Sequence, residues 1–62
     1  MKKEYLSEPE AALYLGISLS SLKRKRLNGE GPAYLRLSER MVRYFQEDLD
    51  AYIASCRVIP KR

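Results

Sequence analysis

The sequence predicts a mostly α domain with one small β-hairpin, in the order helix, turn, helix, hairpin, helix. Three observations carry this. Two helix-like segments, 8–15 and 19–28, are separated only by Gly16-Ile17-Ser18. Two short runs of alternating polarity, 33–37 and 41–45, follow a Gly-Glu-Gly-Pro loop and are joined by Ser38-Glu39-Arg40. An acidic helix start at Glu47-Asp48 then precedes a last apolar segment.

The first helix has a complete start signal. Ser7 can accept from the first turn while Glu10 reaches back, the capping-box pattern. Pro9 falls in the first turn, where its missing N–H costs nothing. Leu6 and Ala11 are spaced for a hydrophobic staple. The segment 8–15 buries Ala11, Ala12 and Leu15 on one face, and Gly16 suits the left-handed residue that ends a helix. Ser18 is the next N-cap, and Gly29 ends the second helix by the same logic.

At 100° per residue, Leu19, Leu22 and the stem of Arg26 share one side of the second helix, with Ser20, Arg24 and Leu27 roughly opposite. So few apolar positions hold this helix weakly unless its outer face has another purpose. In the hairpin, Leu35 and Leu37 flank Arg36, and Val42 and Tyr44 flank Arg43. That alternation is the strand signature. A lone two-stranded hairpin is marginal, so it must pack on the helices. The third helix is expected over 47–55, with Leu49, Tyr52 and Ile53 on one side. The segment 57–62 contains a proline and three basic residues and is expected to fray.

Sixty-two residues make one small domain, 1–62, with its core over 5–55. A single cysteine, Cys56, rules out an intrachain disulfide and favours a reduced compartment. The absence of histidine excludes a His-ligated zinc site and histidine acid–base chemistry. No cofactor and no metal are expected. Glu47, Asp48 and Asp50 suit the positive end of a helix better than a cation site. No apolar run approaches membrane-spanning length and no signal peptide follows Met1-Lys2-Lys3, so the expectation is a soluble, cytoplasmic protein.

Twelve Lys and Arg against eight Asp and Glu give a net charge of +4, concentrated at 23–26 and recurring at 36, 40 and 43. A tight glycine turn followed by a cationic helix is how a helix-turn-helix reads in sequence, and a following hairpin makes it the winged form. The partner is then double-stranded DNA. Arg24, on the outward face, is the candidate for direct base reading, since arginine can bind guanine O6 and N7 together. Ser18, Ser20 and Ser21 lie at the start of that helix, where side chains and backbone N–H groups can meet a phosphate or a base edge. Ser21 serves equally well as an intrahelix cap. Lys23 and Lys25 are phosphate contacts. Arg36, Arg40 and Arg43 belong to the wing, with Arg40 nearest the tip; Arg43 can instead pair with Glu39 or Glu47. The five tyrosines fit core and core-edge positions better than a base-stacking platform.

The residues Tyr5-Leu6-Ser7, Glu10-Ala11-Ala12, Tyr14-Leu15-Gly16-Ile17-Ser18, Ser21-Leu22 and Arg24, then Gly29, Gly31-Pro32, Tyr34, Val42-Arg43-Tyr44 and Glu47-Asp48-Leu49-Asp50-Ala51-Tyr52-Ile53, resemble the excisionase and AlpA-like regulators with a MerR-type winged helix-turn-helix. The resemblance covers 5–53. It implies a non-enzymatic, sequence-specific DNA-binding protein of a phage or mobile element, an excisionase that binds repeated sites cooperatively and bends DNA, with an integrase as protein partner. An AlpA-like transcription regulator uses the same domain. A protein-interaction adaptor is the rival from another class. Two positions depart from the pattern: Lys25 stands where the family has an apolar or aromatic residue, and Ser38 where it has a wing-tip glycine.

Overall fold

The computed structural model describes residues 5–60. Six elements follow in order: β1 (Tyr5–Ser7), α1 (Glu8–Leu15), α2 (Leu19–Leu27), β2 (Leu35–Ser38), β3 (Met41–Phe45) and α3 (Gln46–Ser55). The architecture is the winged helix-turn-helix expected from the sequence, with one addition. Strand β1 pairs antiparallel with β3, Leu6 opposite Tyr44, so the hairpin is part of a three-stranded sheet of order β1-β3-β2. This third strand removes the marginality of an isolated hairpin.

The capping signals act as the residue types dictate. The Ser7 hydroxyl accepts from the Glu10 amide at 3.3 Å while the Glu10 carboxylate accepts from the Ser7 amide at 2.8 Å, closing the capping box on α1. Ser18 caps α2 by accepting from the Ser21 amide at 3.1 Å. Both helices then end in one motif. The Gly16 amide donates to the Leu13 carbonyl and the Ile17 amide to that of Ala12; after α2, Gly29 donates to Arg26 and Glu30 to Lys25. These bonds need a left-handed residue at the turn, supplied by Gly16 at φ 76° and Gly29 at φ 70°. The first turn also carries Ile17 back onto the core.

That core is small: Ala11, Ala12, Leu22, Val42, Tyr44 and Leu49, with Leu6, Leu15 and Ile17 packed at its margin. Helix α2 contributes Leu22 alone as a fully buried residue. On α3, Leu49 is buried as expected but Ile53 is exposed. Helix α3 is tied to α1 from outside the core, where the Tyr14 hydroxyl donates to Asp50.

Some boundaries shift from the sequence expectation. Helix α2 closes at Leu27, with Asn28 as its cap, and α3 begins at Gln46. Strand β2 starts at Leu35 because Pro32 is buried and Tyr34 turns its ring toward Tyr44, at 6.1 Å between centroids. The ladder is irregular between Arg36 and Ser38, and Ser38 pairs with Met41, so the hairpin turn narrows to Glu39-Arg40. Residues 57–60 carry no regular structure and are exposed; Lys61 and Arg62 of the expected tail lie outside the described residues, as do residues 1–4.

The left-handed turn can be tested at Gly16. A Cβ there meets nothing within 4 Å, so only backbone strain opposes a side chain. Gly16→Ala should lower unfolding stability by about 1–2 kcal/mol, the cost of placing an L-residue in the left-handed region. Urea titration measures this; an unchanged midpoint would show that the turn does not require that conformation.

Candidate nucleic-acid interface

Three elements enclose a groove of about 290 Å³ at the junction of helix and hairpin. The start of α1 gives Glu8 and Pro9, α2 gives Leu19, Lys23 and Arg26, and the hairpin gives Val42 and the polar chains of Arg36, Glu39, Arg40 and Arg43. The helical repeat explains the α2 contribution, since Leu19, Lys23 and Arg26 fall on one side, next to Leu22.

One cation of this groove is committed inward. The Arg26 guanidinium donates to Glu8 twice, from Nε to Oε2 at 2.7 Å and from Nη2 to Oε1 at 3.2 Å. The buried Tyr44 hydroxyl donates to the same Oε2 at 2.8 Å. Tyr34 completes the cluster, its ring centroid 5.8 Å from the Arg26 guanidinium carbon. Four segments distant in sequence thus meet on one carboxylate and its counter-ion. Burial pushes the Glu8 carboxyl up, but the bonds from Arg26 and Tyr44, with the charge of Arg26, reverse this and hold it below its ordinary value. Burial, then the bond to Glu8, raises the Tyr44 phenol well above its ordinary value. The bond to Glu8 likewise raises Arg26.

With Glu8 neutralised by Arg26, the described residues of the groove present Lys23, Arg36, Arg40 and Arg43 against the carboxylate of Glu39. Two of the hairpin arginines, Arg36 and Arg43, are held in place. Arg36 donates to the Glu39 carbonyl at 3.2 Å across the turn, and its guanidinium lies 5.9 Å from the Tyr34 centroid. Arg43 donates to the Val42 carbonyl at 2.8 Å rather than to Glu39 or Glu47. Arg40 is exposed at the turn.

The remaining candidates of α2 divide between other faces. Ser20 and Arg24 are exposed and lie outward, away from Leu22. The Ser18 hydroxyl donates to that of Ser21 at 3.0 Å, so these two order the helix start. Lys25 is half-buried on the opposite flank, and a Cβ at Gly31 would come within 3.3 Å of its own, so its stem packs on the loop. The sequence assigned Lys23 to phosphate contact and Arg36, Arg40 and Arg43 to the wing as separate expectations; the fold brings all four to one groove. Sequence reasoning did not identify the Glu8–Arg26–Tyr44 cluster. The signal was present in Arg26 on the core side of α2 and in the inward register of Tyr44, but their meeting is tertiary.

Helix, turn, cationic helix and basic hairpin, joined by one groove, define a winged helix-turn-helix of the DNA-binding class. A family model described as a helix-turn-helix domain matches residues 5–57, and the chain belongs to that family. Its partner is double-stranded DNA. No curated protein matches the chain. Among the described residues, no helix is long and apolar enough to cross a membrane.

The buried cluster predicts a pH dependence. A carboxylate whose folded value lies below its unfolded value of 4.5 contributes stability that is present above that value and lost as pH falls through the folded one. Glu8→Gln should lose about 2–4 kcal/mol at neutral pH, because Arg26 is left without its counter-charge. It should also unfold with a flatter acid limb than the parent below pH 4.5. Thermal melts across pH measure both, and parallel acid limbs would remove Glu8 from the stabilising pair.

Proposed function

We propose that the chain is a sequence-specific double-stranded DNA-binding protein in which α2 enters the major groove and the hairpin grips the adjacent backbone or minor groove. The observation that carries this reading is the groove shared by Lys23 on α2 and Arg36, Arg40 and Arg43 on the hairpin. It sets cations between the two elements that would straddle a strand, as neutralisation of phosphates requires. Arg24 then points at base edges and Ser20 at a base edge or phosphate. Ser18 and Ser21 hold the start of α2 in place, leaving the amides of Leu19 and Ser20 for a phosphate, and Lys25 makes a peripheral phosphate contact.

The biological role we propose is that of an excisionase of a phage or mobile element, with a MerR-type arrangement, acting without catalysis. The resemblance to that family supports it: one copy of such a domain covers a short site, so useful specificity implies several copies side by side on repeated sites, bending the DNA in favour of excision and working beside an integrase. An AlpA-like transcription regulator would use the same contacts. Mobility-shift titration against the DNA flanking the gene and any nearby attachment site tests the reading. A salt-sensitive ladder of shifted species is expected; affinity for a protein partner with no salt-dependent DNA binding would favour the adaptor.

The two kinds of contact separate by substitution. Arg24→Ala should weaken the preferred site by about 1–3 kcal/mol and relax its sequence preference. A uniform loss over all sequences would make Arg24 a phosphate contact. Lys23→Ala should reduce the slope of log affinity against log salt by about one unit with preference kept. An unchanged slope removes Lys23 from the phosphate set.

A further inference from the structure

Leu27, the last residue of α2, is 76% exposed and lies outside the core cluster. A lone exposed leucine is ordinary on any protein surface. This one is set apart by the face it occupies. At 100° per residue it lies about 20° from Ser20 and about 60° from Arg24 around the helix axis. It is therefore the apolar member of an outward stripe whose other members are polar or cationic. Helix propensity does not account for it, because lysine, glutamine or arginine would serve an exposed helical position about as well.

The surroundings leave that side chain accessible. Helix α2 ends one residue later at its Asn28 cap, before the left-handed Gly29. At 76% exposure, Leu27 is open to a duplex lying along the outward stripe. The spacing also fits. Arg24 and Leu27 differ by about 4.5 Å along the helix axis at 1.5 Å per residue, close to the ~3.4 Å between successive bases of a strand.

In the major groove, thymine differs from the other bases by an apolar group, its C5-methyl, which an apolar side chain recognises by excluding water from both. We propose that Leu27 is a specificity-determining residue that packs on the C5-methyl of a thymine one or two base pairs from the guanine read by Arg24. This rests on the reading that α2 enters the major groove. It adds a second base preference to the site, made without a hydrogen bond.

The probe is a duplex selected by the protein from a randomised library, in which each thymine is replaced in turn by deoxyuridine, which lacks only the methyl group. One replacement near the Arg24 guanine should weaken binding about fourfold, the effect of about one buried methyl group. Leu27→Ala should bind the thymine duplex as weakly as the parent binds that deoxyuridine duplex, and should not distinguish the two. Leu27→Met, which keeps an apolar chain, should retain the distinction. Indifference of the parent to every replacement, or an undiminished penalty in Leu27→Ala, overturns the assignment. Arg24→Ala on the same duplexes separates this from the broader reading. If it relaxes preference while deoxyuridine has no effect, the groove placement stands and the Leu27 contact falls. If library selection yields no preferred sequence, both fall.

Discussion

The carboxylate of Glu8, held by Arg26 and Tyr44, is the interaction on which the rest of the structure depends. Helix α2 buries Leu22 alone, so apolar packing does not fix its rotation about its own axis. The bidentate Arg26–Glu8 pair fixes α2 against α1, and the Tyr44 hydroxyl ties the same oxygen to the sheet. A buried ion pair is often a weak source of net stability, since desolvation offsets much of the attraction. Its geometric demand is strict nonetheless: moving α2 by a fraction of a turn would strand a charge in the interior. The cluster therefore supplies orientation, which is what a recognition helix needs most.

This arrangement divides the positive charge by function. Arg26 is used internally, to order the fold. Lys23 and the hairpin arginines remain in the groove, with Arg36 and Arg43 braced by backbone carbonyls, and Arg36 also by Tyr34, instead of by carboxylates. Cations held this way keep their charge available to a polyanion while losing little further freedom on binding, which lowers the entropic cost of association. The outward stripe of Ser20, Arg24 and Leu27 takes no part in the core and is free to differ without disturbing it. Stability and recognition thus draw on different sides of one short helix.

Much of the fold was legible because its signals are local. The capping box at Ser7 and Glu10, the Ser18 cap, and the two glycines that end α1 and α2 each follow from conformational preference within a few residues. The alternation around Arg36 and Arg43 disclosed the hairpin for the same reason. Strand β1 was not legible: three residues cannot display a period, and Tyr5–Ser7 is extended only because β3 lies beside it. The shift of the second strand to Leu35 arises from Tyr34 packing on Tyr44, again a contact distant in sequence. Glu8 is an acidic residue in the first turn of α1, a favourable place on local grounds alone; that it is also buried depends on Arg26 arriving from another helix. For the candidate site, the residue types and their outward faces were readable, whereas their convergence on one groove required the fold.

The direct test of this account is amide hydrogen exchange along α2 in Arg26→Met, compared with α3 in the same molecule. If the polar cluster holds α2, amides of 22–27 should lose far more protection than those of 49–55, because Leu22 alone cannot keep the helix docked while α3 retains its own contacts with Leu49 in the core. Equal loss in both helices, or retained protection in α2, would contradict the central claim and return the orientation of the helix to the apolar core.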